Sequence, residues 1–93
     1  MPNQTTHVII SGRVQGVFYR DWTVTNALTL GLNGWVRNIN DGTVEAVFSG
    51  NTTTIEEMIN RCYAGPPEAK VIDIQQKLFS DPLEPGFTRK PNA

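Results

Sequence analysis

The dipeptide Asp41-Gly42, set between two apolar-polar alternating runs, restricts the architecture more than any other feature of the chain. Asn33 to Asn40 reads as one strand. Thr43 to Ser49 returns as the next, with Val44, Ala46 and Phe48 alternating against Thr43, Glu45 and Val47. A period of two sends alternate side chains to opposite faces, and Asp-Gly tolerates the positive φ that a tight hairpin needs. These two strands are therefore expected to be antiparallel neighbours in a sheet with one buried face.

The flanks supply the rest of the sheet and its cover. Thr6 to Ser11 is strand-like, with Val8 and Ile10 alternating against His7, Ile9 and Ser11. Because Ile9 is apolar too, the strand is expected to be a central one. Gly12 to Phe18 reads as a loop. A helix follows from about Tyr19, with Trp22, Asn26, Ala27 and Leu30 along one face and Gly31 as a C-cap. Val24 and Leu28 fall off that face and are expected as a partly exposed stripe.

Beyond the hairpin, Ile55, Met58, Ile59 and Cys62 recur at helical spacing. A threonine among Thr52 to Thr54, with Glu56 and Glu57 in the first turn, resembles a capping box, and Gly65-Pro66-Pro67 ends the helix. Val71 to Phe79 is a fourth strand, and Gly86 to Lys90 is a candidate short fifth. The order matches the split pattern of an α+β, ferredoxin-like βαββαβ sandwich: an antiparallel sheet with two helices on one face. No linker or repeat divides residues 1–93, so a single domain is expected.

That architecture hosts many activities, so function has to be read from residues. With one cysteine, Cys62, and one histidine, His7, the chain offers no transition-metal ligand set and no internal disulfide. A net charge of −1 is a poor match to a long polyanion, which demands many phosphate contacts. The N-terminal run lacks the basic flank and long apolar core of a signal peptide, and a cytoplasmic location is expected.

The loop Gly12-Arg13-Val14-Gln15-Gly16-Val17-Phe18-Tyr19-Arg20 carries the clearest chemical possibility. Two glycines allow consecutive N–H groups to turn inward as a nest, and the next helix presents its first unpaired N–H groups to the same place. Arg20, at the positive end of a helix dipole, is badly placed for stability but well placed for an anion. Any strand-to-helix corner can contain glycines and an arginine, so the loop alone leaves both readings open.

Asn38, just before the hairpin, is a commonplace turn residue whose amide can also donate to and accept from one water. Trp35 is expected in the core against a helix. His7 has no visible orienting partner for general-base work. Asp21 reads as a dipole partner, Glu56 and Glu57 as cap residues, and Cys62 as inert core.

The loop from Gly12 to Arg20 resembles the signature loop of the acylphosphatase family. Gly31-Leu32-Asn33-Gly34-Trp35-Val36-Arg37-Asn38, followed by Asp41-Gly42-Thr43-Val44-Glu45, resembles its second motif, and the likeness runs from about Val8 to Val71. It implies an enzyme that hydrolyses small acyl phosphates to a carboxylate and inorganic phosphate, the latter as product or inhibitor. In this reading Arg20 binds phosphate with the backbone of Gln15, Gly16, Val17 and Phe18, and Asn38 positions the attacking water. No cofactor, metal, nucleic acid or membrane is implied, and a monomer is expected.

Phe18-Tyr19 departs conservatively from the family pattern, and the ending GFTRKPNA runs past its usual finish. The chemistry suits so sparse an inventory. A carboxylate leaving group, with an acid pKa of about 4, departs without a proton. A loose transition state then asks mainly for charge stabilisation and an aligned water. Two other readings stay open: a non-catalytic receptor for a small anion, and a single-stranded RNA binder on a similar frame. The second lacks the expected aromatic run.

Overall fold

A computed structural model describes residues 3–93; Met1 and Pro2, at the start of the expected domain, lie outside the described residues. The elements run β1 (Asn3–Arg13), α1 (Tyr19–Thr29), β2 (Asn33–Asn38), β3 (Val44–Asn51), α2 (Thr52–Ala64), β4 (Lys70–Leu78) and β5 (Phe87–Arg89). They form one sheet in the order β4-β1-β3-β2-β5. The first four strands are antiparallel neighbours, as the ferredoxin-like reading expects, and β5 adds parallel to the outer edge of β2. Helix α1 lies against β2 and β5, α2 lies against β3 and β4, and the two helices touch.

Period two accounts for the core. Val8 and Ile10 from β1, Val36 from β2, and Val44, Ala46 and Phe48 from β3 join Ile55, Met58, Ile59 and Cys62 from α2 in one buried cluster. Phe87 of β5 stacks on Phe48 with ring centroids 5.6 Å apart. The Tyr19 hydroxyl, buried between the helices, donates to the Cys62 carbonyl at 2.5 Å and ties α1 to α2. Burial pushes the Cys62 thiol up to about 12 and the Tyr19 hydroxyl well above its ordinary value, so both are neutral structural groups.

Four local expectations change. The buried stripe of α1 is Tyr19, Thr23 and Ala27 rather than one centred on Trp22 and Asn26. Thr23 is tolerated there because its hydroxyl donates to the Tyr19 carbonyl one turn back, at 2.8 Å. Trp22, Val24 and Leu30 pack partly against the core, while Leu28 is exposed.

The cap of α2 is Asn51, whose side chain accepts from the Thr53 N–H at 2.9 Å. Strand β3 runs straight into the helix, so its last extended residue takes the capping position. Glu57 pairs instead with Arg61 one turn on, at 2.8 Å.

The hairpin turn is wider than an Asp-Gly dipeptide. Strand β2 stops at Asn38, the Gly42 N–H donates to the Ile39 carbonyl, and Asp41 accepts from both the backbone and the hydroxyl of Thr43. Those bonds, the hydroxyl's foremost, hold the Asp41 carboxyl below its usual value.

The fourth change concerns Trp35, which faces away from the helices. Gly34, Val36 and Asn38 take the buried side of β2, because Gly34 sits where nothing larger fits. A Cβ on Gly34 would lie 1.8 Å from the Val47 carbonyl oxygen and 3.1 Å from the Phe87 ring, and its φ of 139° is itself unfavourable for a side chain. Gly34→Ala is expected to cost about 4 kcal/mol, read as a lowered denaturation midpoint with an unchanged slope, because backbone of β3 must move.

On the open face Trp35 lies with the Arg37 guanidinium and the Lys90 ammonium each 4.9 Å from its ring centroid. Glu45 lies between His7 and Arg37, bonded to each at 2.6 Å. Burial alone would raise the Glu45 carboxyl, but those two partners outweigh it and hold it below its ordinary value.

Candidate active site

At the helix-side end of the sheet, the β1–α1 loop, the start of α1 and the end of β2 enclose a cavity of about 290 Å³. Gly16, Phe18, Arg20 and Asn38 line it, together with Asp21 and Arg89. Residues that stand eighteen positions or more apart along the chain, such as Arg20 and Asn38, thus share one small space.

The loop takes its shape from backbone that ordinary residues avoid. Gly12 and Gly16 have φ of 124° and 73°, and Phe18, with φ 65° and ψ 25°, is a non-glycine residue in the left-handed region. Such a residue costs on the order of 1–3 kcal/mol, and its persistence at a loop-to-helix corner marks a site whose geometry is imposed. The Phe18 ring is itself exposed. Among the described residues, the N–H groups of Gln15, Gly16, Val17 and Phe18 are donated to no other group. The first helical hydrogen bond begins only at Trp22, whose N–H reaches the Phe18 carbonyl at 3.0 Å, so the opening amides of α1 are unspent as well.

Gln15 holds the loop in place. Its side-chain amide donates to the Ile39 carbonyl at 2.8 Å and to the Thr43 carbonyl at 2.9 Å, one on each side of the β2–β3 turn. The loop is thereby fixed to the hairpin that carries Asn38. This use of the Gln15 side chain, beyond its backbone, is not visible in a linear reading.

Asn38 is only 8% exposed, and its Oδ1 is buried without a hydrogen-bond partner among the described residues. An acceptor left unmatched in this way costs about 1–3 kcal/mol, which the fold tolerates where a ligand or water supplies the missing donor. Its backbone carbonyl accepts from the Ala93 N–H at 3.0 Å, and the Asn40 N–H donates to the Ala93 carbonyl at 2.7 Å. The tail after β5 therefore braces the strand end that carries Asn38.

Arg20, half-buried, points its Nη1 at the Asn92 Oδ1, 3.3 Å away, a long bond to an exposed side chain. The guanidinium thus has weak company and most of its donors to spare. Arg89 brings a second cation to the same cavity and forms an ion pair with Asp21. Linear reading misses Arg89, because only the parallel register of Arg89 with Val36 sets it on the helix side of the sheet. The same ion pair makes Asp21 a partner of Arg89. His7 belongs to the opposite face, bonded to Glu45 and stacked on Phe79. Among the described residues, no three His, Cys, Asp or Glu side chains gather as a metal-ion site, and no helix is long and apolar enough to cross a membrane.

The acylphosphatase family model matches residues 6–88. A Rhodospirillum rubrum protein named acylphosphatase is 52% identical over 89 residues, covering 96% of this chain and 98% of its own. One from Acidiphilium cryptum is 51% identical over 84 residues, covering 90% and 92%. Among solved structures, an acylphosphatase from Coxiella burnetii superposes with a TM-score of 0.90 at 33% identity, over 95% of this chain and 93% of that one.

Proposed function

The chain belongs to the acylphosphatase family of enzymes, and from that premise we propose that it hydrolyses small acyl phosphates by direct attack of water. The observation that carries the mechanism is the pairing of an unmatched buried acceptor, Asn38 Oδ1, with unspent loop amides and the lightly held Arg20 guanidinium around one cavity. The whole 93-residue chain is read as one such domain, working in the cytoplasm as a monomer.

In this mechanism the phosphoryl oxygens lie on the N–H groups of Gln15, Gly16, Val17 and Phe18, with the Arg20 fork spanning two of them. The donors are in place before substrate arrives, so little reorganisation is needed as charge shifts during transfer. Asn38 Oδ1 accepts a hydrogen bond from water and turns its lone pair toward phosphorus, opposite the acyl oxygen. The P–O bond to the acyl group breaks with its electron pair going to the carboxylate, while water forms the new P–O bond and releases its proton to solvent or phosphate. Because the departing carboxylate is a weak base, no side chain has to protonate it. Arg89 adds positive charge at the rim, tempered by Asp21.

The test is hydrolysis of a small aryl acyl phosphate by purified protein in excess chelator. Turnover should persist with no added metal, and inorganic phosphate should inhibit it competitively. Thermal protection by phosphate without turnover would instead identify a non-catalytic anion receptor.

A further inference from the structure

The larger cavity of the molecule, about 670 Å³, lies on the open face of the sheet and shares no lining residue with the site described above. A row of paired residues runs across the strands as Lys77, His7, Val47, Trp35 and Thr88, and all but the fully buried Val47 line the floor of the cavity. Phe79 stands over this row, stacked on His7 at 6.1 Å and edge-on to Trp35 at 6.5 Å.

The far wall is the β4–β5 connection. Strands β4 and β5 are opposite edges of the sheet, so this short segment must cross a width of about 19 Å, four strand spacings. Eight residues, Phe79 to Gly86, join the two strands and reach about 28 Å when fully extended. The segment is therefore a short strap with little slack to leave the sheet, stiffened by Pro82 and Pro85. It is fastened where the Gly86 N–H meets Asn33 Oδ1 at 2.8 Å and the Gly34 N–H meets the Gly86 carbonyl at 2.9 Å. The cavity is thus formed in advance, as ligand sites generally are.

Its charges are sorted. Glu45 is consumed by His7 and Arg37. Among the described residues Lys77 and Lys90 pair with no carboxylate, and Lys90 stands 4.9 Å from the Trp35 ring centroid. Cations therefore belong to the sheet side, and the carboxylates of Asp81 and Glu84 to the strap, where neither forms an ion pair.

We propose that this face is a second ligand site, for a nucleoside monophosphate. The chemistry that selects it has three parts: the Phe79 ring for a base, beside a Trp35 already flanked by Arg37 and Lys90; lysine ammonium groups for the phosphate; and strap carboxylates as acceptors for an exocyclic amine. The strap, crossing above the floor, suits one nucleotide rather than a passing strand.

Trp22→Phe leaves Trp35 as the sole tryptophan, so its emission reports the site. Adenosine monophosphate should quench that emission along a saturable curve, and should do so equally in the Arg20→Ala variant, whose catalytic loop lacks its phosphate fork. Adenosine and ribose 5-phosphate should each bind about tenfold more weakly or worse, as should the nucleotide to Lys77→Ala/Lys90→Ala. That double variant should hydrolyse acyl phosphate normally.

Quenching that is lost in Arg20→Ala and kept in Lys77→Ala/Lys90→Ala places the nucleotide in the catalytic loop and overturns the proposal. Absence of saturable quenching, or equal binding of the three probes, overturns it as well. Tighter binding of a short single-stranded RNA than of the mononucleotide would replace it with a nucleic-acid surface. None of these outcomes touches the catalytic reading, because that reading rests on Arg20 and Asn38.

Discussion

Arg20→Ala is expected to reduce kcat/KM for an aryl acyl phosphate by about 10³-fold or more, with kcat falling and KM rising together. In the proposed mechanism the guanidinium meets phosphoryl oxygens in both the bound substrate and the transition state, so its loss should be felt in both parameters. A factor of 10³ corresponds to about 4 kcal/mol of lost transition-state stabilisation. Arg20→Lys should recover only part of it, because an ammonium keeps the charge but not the planar fork. The fold should be unaffected, since the side chain's one hydrogen-bond partner among the described residues is Asn92, at 3.3 Å. Steady-state kinetics on a folded, circular-dichroism-checked variant decide the matter, and retention of most activity would remove Arg20 from the site.

Asn38→Ala makes the complementary prediction. Here kcat should fall by roughly 10²- to 10³-fold while KM stays within about threefold, because the amide orients water and not the substrate. Stability should move the other way. The variant deletes a buried acceptor that has no partner among the described residues, so its stability should be unchanged or raised, by about 1 kcal/mol. A loss of turnover accompanied by no loss of stability cannot be ascribed to misfolding. A large rise in KM with intact kcat would instead make Asn38 a substrate-binding residue.

Arg20 and Asn38 carry local marks that leave their roles open; the family resemblance supplies the roles, and the structure brings both residues to one cavity. A cation at a helix N-terminus is anomalous on dipole grounds within one turn of sequence, and Asn38 is announced by the hairpin that follows it. Arg89 has no such local mark. Its membership of the cavity depends on β5 lying parallel to β2 in one register, a long-range fact to which three residues of strand contribute almost no pattern.

Trp35 was assigned the wrong face for a related reason. Period two divides β2 into Gly34, Val36 and Asn38 against Trp35 and Arg37, but it does not say which set meets the helices. Side-chain size favours the tryptophan, whereas the contact of Gly34 with the Val47 carbonyl and the Phe87 ring requires the opposite choice. The cap of α2 followed the same logic on a smaller scale. Threonines inside the helix look like caps until β3 is seen to run unbroken to Asn51.

The two carbonyls held by Gln15 have a mechanical consequence. A direct displacement at phosphorus tolerates little error in the angle between the incoming and departing oxygens, and an error of about 1 Å in placement can cost two orders of magnitude in rate. The proposed cradle for the phosphoryl group and the amide proposed to aim the water sit on segments that could drift independently. A single side chain spans them, donating on either side of the turn at 2.8 and 2.9 Å. Thermal displacement of one segment therefore carries the other with it, and the line of attack is preserved while the surrounding molecule breathes.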